Sequence, residues 1–110
     1  VMGNVEGQTP IIIEDLIDTG TTIVNVVESL KERGAEDAFV CATHPLFSGD
    51  AIKKLDHPNI REVVVTDSIE VPLDRPERFK VLSVAPLLAD AIRIITEGGS
   101  ISTLFKNAGI

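Results

Sequence analysis

Ile11-Ile12-Ile13-Glu14-Asp15-Leu16-Ile17-Asp18-Thr19-Gly20-Thr21-Thr22 is the stretch on which the fold turns. Its opening, residues 11–14, is an apolar, β-branched run ending in acids, which suits a strand buried on both faces of a parallel sheet. Residues 16–22 are turn chemistry, with Thr22 placed to cap a helix. Ile23, Val26, Val27 and Leu30 then recur at helical spacing, and Lys31, Arg33 and Gly34 supply a C-terminal signal, so a helix is expected over 23–33.

The same logic extends to both sides. Residues 1–10 read as a loop, and a Val at position 1 suggests a fragment boundary. Residues 37–43 form a second apolar run that should end at His44-Pro45. A short helix follows over 48–55, a turn over 56–59 and a third strand over 62–66. Residues 67–78, rich in acids and prolines, are expected to be a surface connection. A fourth strand over 79–84 leads to a helix that Pro86 begins and Gly98-Gly99 ends, with Leu88, Ala91, Ile92 and Ile95 as its apolar stripe. Residues 100–105 form a short terminal turn or helix. Alternation of apolar strands with helices predicts an α/β parallel sheet with right-handed crossovers.

Composition narrows the function. The chain has 110 residues, enough for one domain, and a net charge of −7, which argues against nucleic-acid backbones and anionic membranes as partners. The scarcity of aromatics, four Phe with no Trp or Tyr, argues against a base-stacking platform. A single cysteine, Cys41, excludes an internal disulfide framework and suggests a reducing, cytoplasmic setting. It reads as a small core residue. No secretory signal or membrane-length apolar run is visible.

At the carboxyl end of the first strand the sequence places Glu14 and Asp15, then a Thr/Gly loop, then a helix start. Ligands bind at that edge of open α/β sheets. Free N–H groups at the helix start, the small Gly20, and the hydroxyls of Thr19, Thr21 and Thr22 together suit a phosphate, with no Lys or Arg in the loop. Carboxylates beside a phosphate make sense if they face sugar hydroxyls or Mg²⁺, which points to a phosphorylated sugar. A plain helix cap is the competing reading of the same residues. His44 reads as a structural His-Pro turn and His57 as a surface turn residue, while an active-site role for His44 stays open.

The segment resembles the ribose-5-phosphate loop of the ribose-phosphate pyrophosphokinases, whose pattern is two acids, two apolar residues, then Asp-Thr-x-Gly-Thr. The resemblance continues through Ala42-Thr43-His44-Pro45-Leu46-Phe47-Ser48-Gly49, Val63-Val64-Val65-Thr66-Asp67-Ser68-Ile69, Leu82-Ser83-Val84-Ala85-Pro86-Leu87-Leu88-Ala89-Asp90-Ala91-Ile92 and the Ser100 to Phe105 ending. It implies a type I phosphoribosyltransferase-like fold, with residues 1–110 as the partial, C-terminal, ribose-5-phosphate-binding domain of a longer enzyme. The implied activity is transfer of the diphosphoryl group of ATP to ribose 5-phosphate, with Mg²⁺. By position, Glu14 and Asp15 would hold ribose hydroxyls, Asp15 would influence the metal, and Asp18, Thr19, Gly20, Thr21 and Thr22 would hold the 5′-phosphate.

No catalytic residue is expected within this chain. The ATP-binding half and the catalytic Lys and Arg of the family would lie elsewhere, so the isolated chain should be inactive. Ser100, Ser102 and Thr103 match a tail that helps to bind a phosphate or ADP effector between subunits of a homo-oligomer, or else they form a plain cap. Two positions depart from the pattern. Glu14 stands where Asp is usual. Thr21 stands where Gly is usual, and a β-branched residue there resists positive φ. These departures favour, as an alternative, a non-catalytic synthetase-associated regulatory subunit. A phosphoribosyltransferase would use the same loop.

Overall fold

The computed structural model describes residues 3–107. Its elements are β1 (Ile11–Ile17), α1 (Thr21–Glu32), β2 (Ala38–Pro45), α2 (Ala51–Leu55), β3 (Ile60–Thr66), β4 (Phe79–Leu82), α3 (Ala85–Thr96) and α4 (Ser102–Asn107). The expected order of strands and helices is observed, and all three strand pairings are parallel in a sheet ordered β1-β2-β3-β4.

This order explains a departure from the sequence reading. Right-handed crossovers that always step the same way put every connection on one face of the sheet. Accordingly, Val40, Ala42, Val63, Val65 and Phe79 pack under Ile23 and Val27 of α1 and Leu55 of α2. Val71, from the connection between β3 and β4, joins that core. The opposite face is open. Ile13 is 78% exposed and Leu82 61% exposed, while Cys41 is half-buried on that face rather than in the core. The strands are therefore covered on one face, and their apolar composition reflects a second face that nothing within the described residues covers.

Two further boundaries move. β1 continues through Ile17, because Leu16 pairs with His44 and Ile17 with Pro45. His44-Pro45 thus remains in β2 instead of ending it. Pro45 lacks an N–H to donate, which is tolerable at a strand's last residue. The stripe of α3 forms as expected but does not pack inward: none of its residues is buried, and Ile92 is 66% exposed. Extension of α3 away from the sheet gives a radius of gyration of 16.7 Å, against about 13 Å for a compact chain of this length.

Asp67, just after β3, fixes where β4 hands over to α3. Its N–H donates to the Leu82 carbonyl at 3.2 Å, and its Oδ1 accepts the Val84 N–H at 2.8 Å. The hydrogen bond from Val84, and secondarily one from the Ser83 side chain, hold the carboxyl below its ordinary value of 3.8. A depressed carboxyl favours the folded state above its unfolded pKa, and that contribution is lost as pH falls through the folded value. Thermal melts of wild type and Asp67→Asn are expected to converge as pH drops below about 4. A constant gap between them at all pH values would show that the charge contributes nothing.

Candidate phosphate-binding site

The loop after β1 is shaped by one residue in the left-handed region. Gly20, with φ 80° and ψ −1°, is the N-cap of α1, and its carbonyl accepts the first helical bond, from the Val24 N–H at 3.0 Å. The cap is therefore Gly20, not Thr22. Thr22 lies within the helix and makes no side-chain capping bond. The N–H groups of the first turn have no intrahelical partner by geometry and point out of the helix end.

This arrangement also answers the concern raised by Thr21. Positive φ falls on Gly20, and among the described residues Phe47 is the only non-glycine that adopts it. Thr21 is the first helical residue, a backbone setting that a β-branched side chain accepts.

Glu14, Leu16, Ile17, Asp18, Thr19, Gly20, Thr22 and Ile23 line one concavity of about 250 Å³. The structure thus brings together five of the seven residues expected at the substrate: Glu14, Asp18, Thr19, Gly20 and Thr22. Thr21 does not line the concavity, and its Oγ1 accepts from that of Thr19 at 3.4 Å. Asp15 is exposed on β1 and does not line the cavity. Glu14 is the acid that does, and it also borders an apolar trough of about 310 Å³ on the open sheet face.

A metal is a poorer fit to the protein groups alone. Among the described residues no three His, Cys, Asp or Glu side chains cluster to hold one. What fits is the usual habit of Mg²⁺, which takes one or two carboxylates and completes its shell with substrate phosphates and water. Glu14 and Asp15 offer such carboxylates.

Sequence reasoning missed two contributions. The segment after β2 straps the loop from behind: the Phe47 N–H donates to the Ile17 carbonyl at 3.0 Å, and the Ser48 N–H to that of Asp18 at 2.9 Å. Phe47 reaches this position with φ 50°, held by an edge-on contact with Phe79 at 5.7 Å between ring centres. In addition, Lys54 of α2 donates to Thr21 Oγ1 at 3.1 Å. No local pattern signals a contact between residues 33 apart. The sole trace in the sequence is the i,i+4 pairing of Lys54 with Asp50, at 3.3 Å.

Other candidates have structural partners. His44 Nδ1 lies 2.8 Å from Ser68 Oγ, and that hydroxyl donates to the Thr43 carbonyl. His57 is more than a surface turn residue. Its ring is largely buried, accepts the Asn59 N–H at Nδ1 and reaches Glu28 of α1 at 3.2 Å. Ser100 Oγ lies 2.8 Å from Ser102 Oγ and accepts the Ser102 N–H at the start of α4, the geometry of a cap, and Thr103 is exposed in that helix. No helix among the described residues is long and apolar enough to cross a membrane.

An open parallel sheet with a Gly/Thr loop at its carboxyl edge defines an α/β protein of the type I phosphoribosyltransferase-like class. Residues 1–106 match the phosphoribosyl synthetase-associated domain, and the chain belongs to that family. It is 47% identical over 107 residues to a ribose-phosphate pyrophosphokinase of Bacillus subtilis, covering 96% of this chain and 34% of the relative. To the enzyme of that name from Caldanaerobacter subterraneus it is 46% identical over 106 residues, again covering 96% of this chain and 34% of the relative. The crystal structure of phosphoribosylpyrophosphate synthetase from Mycobacterium smegmatis superposes with a TM-score of 0.85 at 43% identity, over 89% of this chain and 33% of that one. The chain therefore spans about a third of the length of the relatives it matches. These matches fix that share and lend no support to the C-terminal placement expected from the sequence.

Proposed function

We propose that this chain supplies the ribose-5-phosphate site of a ribose-phosphate diphosphokinase. The observation that carries the reading is the concavity in which the N-terminus of α1, the Thr19 and Thr22 hydroxyls and Glu14 converge. The phosphate sits on the free N–H groups and hydroxyls of residues 18–22. Asp18 accepts from the sugar or from a protonated phosphate oxygen, and Glu14 accepts from ribose hydroxyls.

Asp15, outside the cavity, is free to contact a Mg²⁺ shared with substrate phosphates. When bound, that ion would neutralise phosphate charge. In the reaction the anomeric oxygen of ribose 5-phosphate attacks the β-phosphorus of ATP, the bond to the α-phosphate oxygen breaks, and AMP leaves. This chain's part is to hold the acceptor in line. ATP is held by residues beyond these 110. A homo-oligomer, a cytoplasmic location and a phosphate or ADP effector at Ser100, Ser102 and Thr103 belong to the same reading.

Titration calorimetry of the intact protein with ribose 5-phosphate tests it. Asp15→Asn is expected to weaken binding about tenfold in the presence of Mg²⁺, the loss of one charge-assisted contact, without lowering the melting temperature. Unchanged affinity would remove Asp15 from the site.

A non-catalytic synthetase-associated subunit is favoured by one observation, the longer Glu14 at the cavity wall. It predicts ribose 5-phosphate binding without turnover by the intact protein. The pyrophosphokinase names of the relatives favour the diphosphokinase over a phosphoribosyltransferase.

A further inference from the structure

The structure gives the Thr21 hydroxyl two partners. Thr19 Oγ1 donates to it at 3.4 Å and Lys54 Nζ at 3.1 Å. A hydroxyl has two acceptor lone pairs and one hydrogen to donate. With both acceptor positions taken, its hydrogen remains to be given away, and an ammonium on the oxygen makes the O–H a stronger donor, because hydrogen bonds in a chain polarise one another. The acceptor that best suits such a donor at the start of α1 is an anion.

We propose that Lys54 is a positioning residue for phosphate binding: it orients and polarises the Thr21 hydroxyl toward a phosphate monoester seated on the loop. The inference rests on the ribose-5-phosphate reading of the site and deepens it. Three features support it. Lys54 comes from α2, an element outside the loop, so an otherwise acidic surround of Glu14 and Asp18 receives a cation. Asp50 also pairs with the ammonium at 3.3 Å, which restricts its position. Leu55, the next residue, is fully buried beneath Gly20, so α2 cannot drift relative to the loop.

The test is calorimetry of the intact protein with ribose 5-phosphate and, separately, with ribose. Lys54→Met and Thr21→Val are each expected to weaken ribose 5-phosphate about tenfold. The double variant should lose about as much as Thr21→Val alone, because Lys54 acts only through the hydroxyl that Thr21→Val removes. Lys54→Arg and Thr21→Ser are expected to restore most of the affinity, and ribose binding should not respond to any of the four. A merely structural role would move the melting temperature and both ligands together. Unchanged affinity in Lys54→Met, or losses that multiply in the double variant, would overturn the Lys54 role while leaving the site itself intact. Wild-type protein that binds no ribose 5-phosphate would overturn both this role and the reading beneath it.

Discussion

These 110 residues, supplied with ATP, Mg²⁺ and ribose 5-phosphate, are expected to form no phosphoribosyl pyrophosphate above background, whereas the intact protein is expected to turn over. On the proposed reading the loop places an acceptor but does little for the group in flight. Its cation, Lys54, is engaged with Thr21 and Asp50, and its nearest charged groups are otherwise the carboxylates of Glu14 and Asp18. Diphosphoryl transfer depends on positive groups that meet the developing charge. Removing even one such donor commonly costs about a hundredfold to a thousandfold in rate. The chain also spans about a third of its relatives' length, and nothing among the described residues covers the open sheet face or the apolar stripe of α3. A coupled assay for AMP release, with contaminating enzyme excluded, reads the outcome. Robust product from the chain alone would place the catalytic groups inside it.

Replacement of Gly20 is expected to be the most damaging single change at the site. At φ 80° any L side chain pays for the left-handed conformation, roughly 1–2 kcal/mol. A Cβ there would also stand 3.1 Å from Leu55 Cγ and 3.3 and 3.4 Å from its two methyl carbons. Leu55 is fully buried and would have to shift by a few tenths of an ångström, so overpacking adds about 1–3 kcal/mol. Gly20→Ala should therefore lower the melting temperature clearly. Gly20→Val should in addition reduce ribose 5-phosphate affinity by a hundredfold or more, on the order of 2.7 kcal/mol, because the first-turn N–H groups are re-aimed. Leu55→Ala by itself should cost about 2–5 kcal/mol through its cavity. The double variant Gly20→Ala, Leu55→Ala should lose less than the sum of the two single losses, since the truncation relieves the clash. Strict additivity in urea melts would show that Leu55 is not what the new Cβ meets.

Part of this protein is settled by local sequence. The period of Ile23, Val26, Val27 and Leu30, with Gly34 beyond, sets a helix wherever the segment lies, because spacing and termination are local properties. The β-branched runs around Val40 and Val64 set strands for the same reason. The Thr/Gly loop between β1 and α1 identified the candidate site, since a strand-turn-helix passage leaves free N–H groups whatever surrounds it.

Tertiary structure decided the rest. Which face of the sheet is covered follows from the strand order, and no single strand encodes that order, so Ile13 and Cys41 read as core residues while lying on an open face. The helix starts at Thr21 with Gly20 as its cap in place of Thr22, and Leu55, 35 residues away, packs against that cap, where an added Cβ would come within 3.1 Å of it. Asp15 and Glu14 are neighbours in sequence, and only the seating of β1 beside the loop puts Glu14 at the cavity and leaves Asp15 outside it. Lys54 meets Thr21 because α2 packs against α1, a contact made by buried apolar side chains and carried to the site by the helix that bears both Lys54 and Leu55.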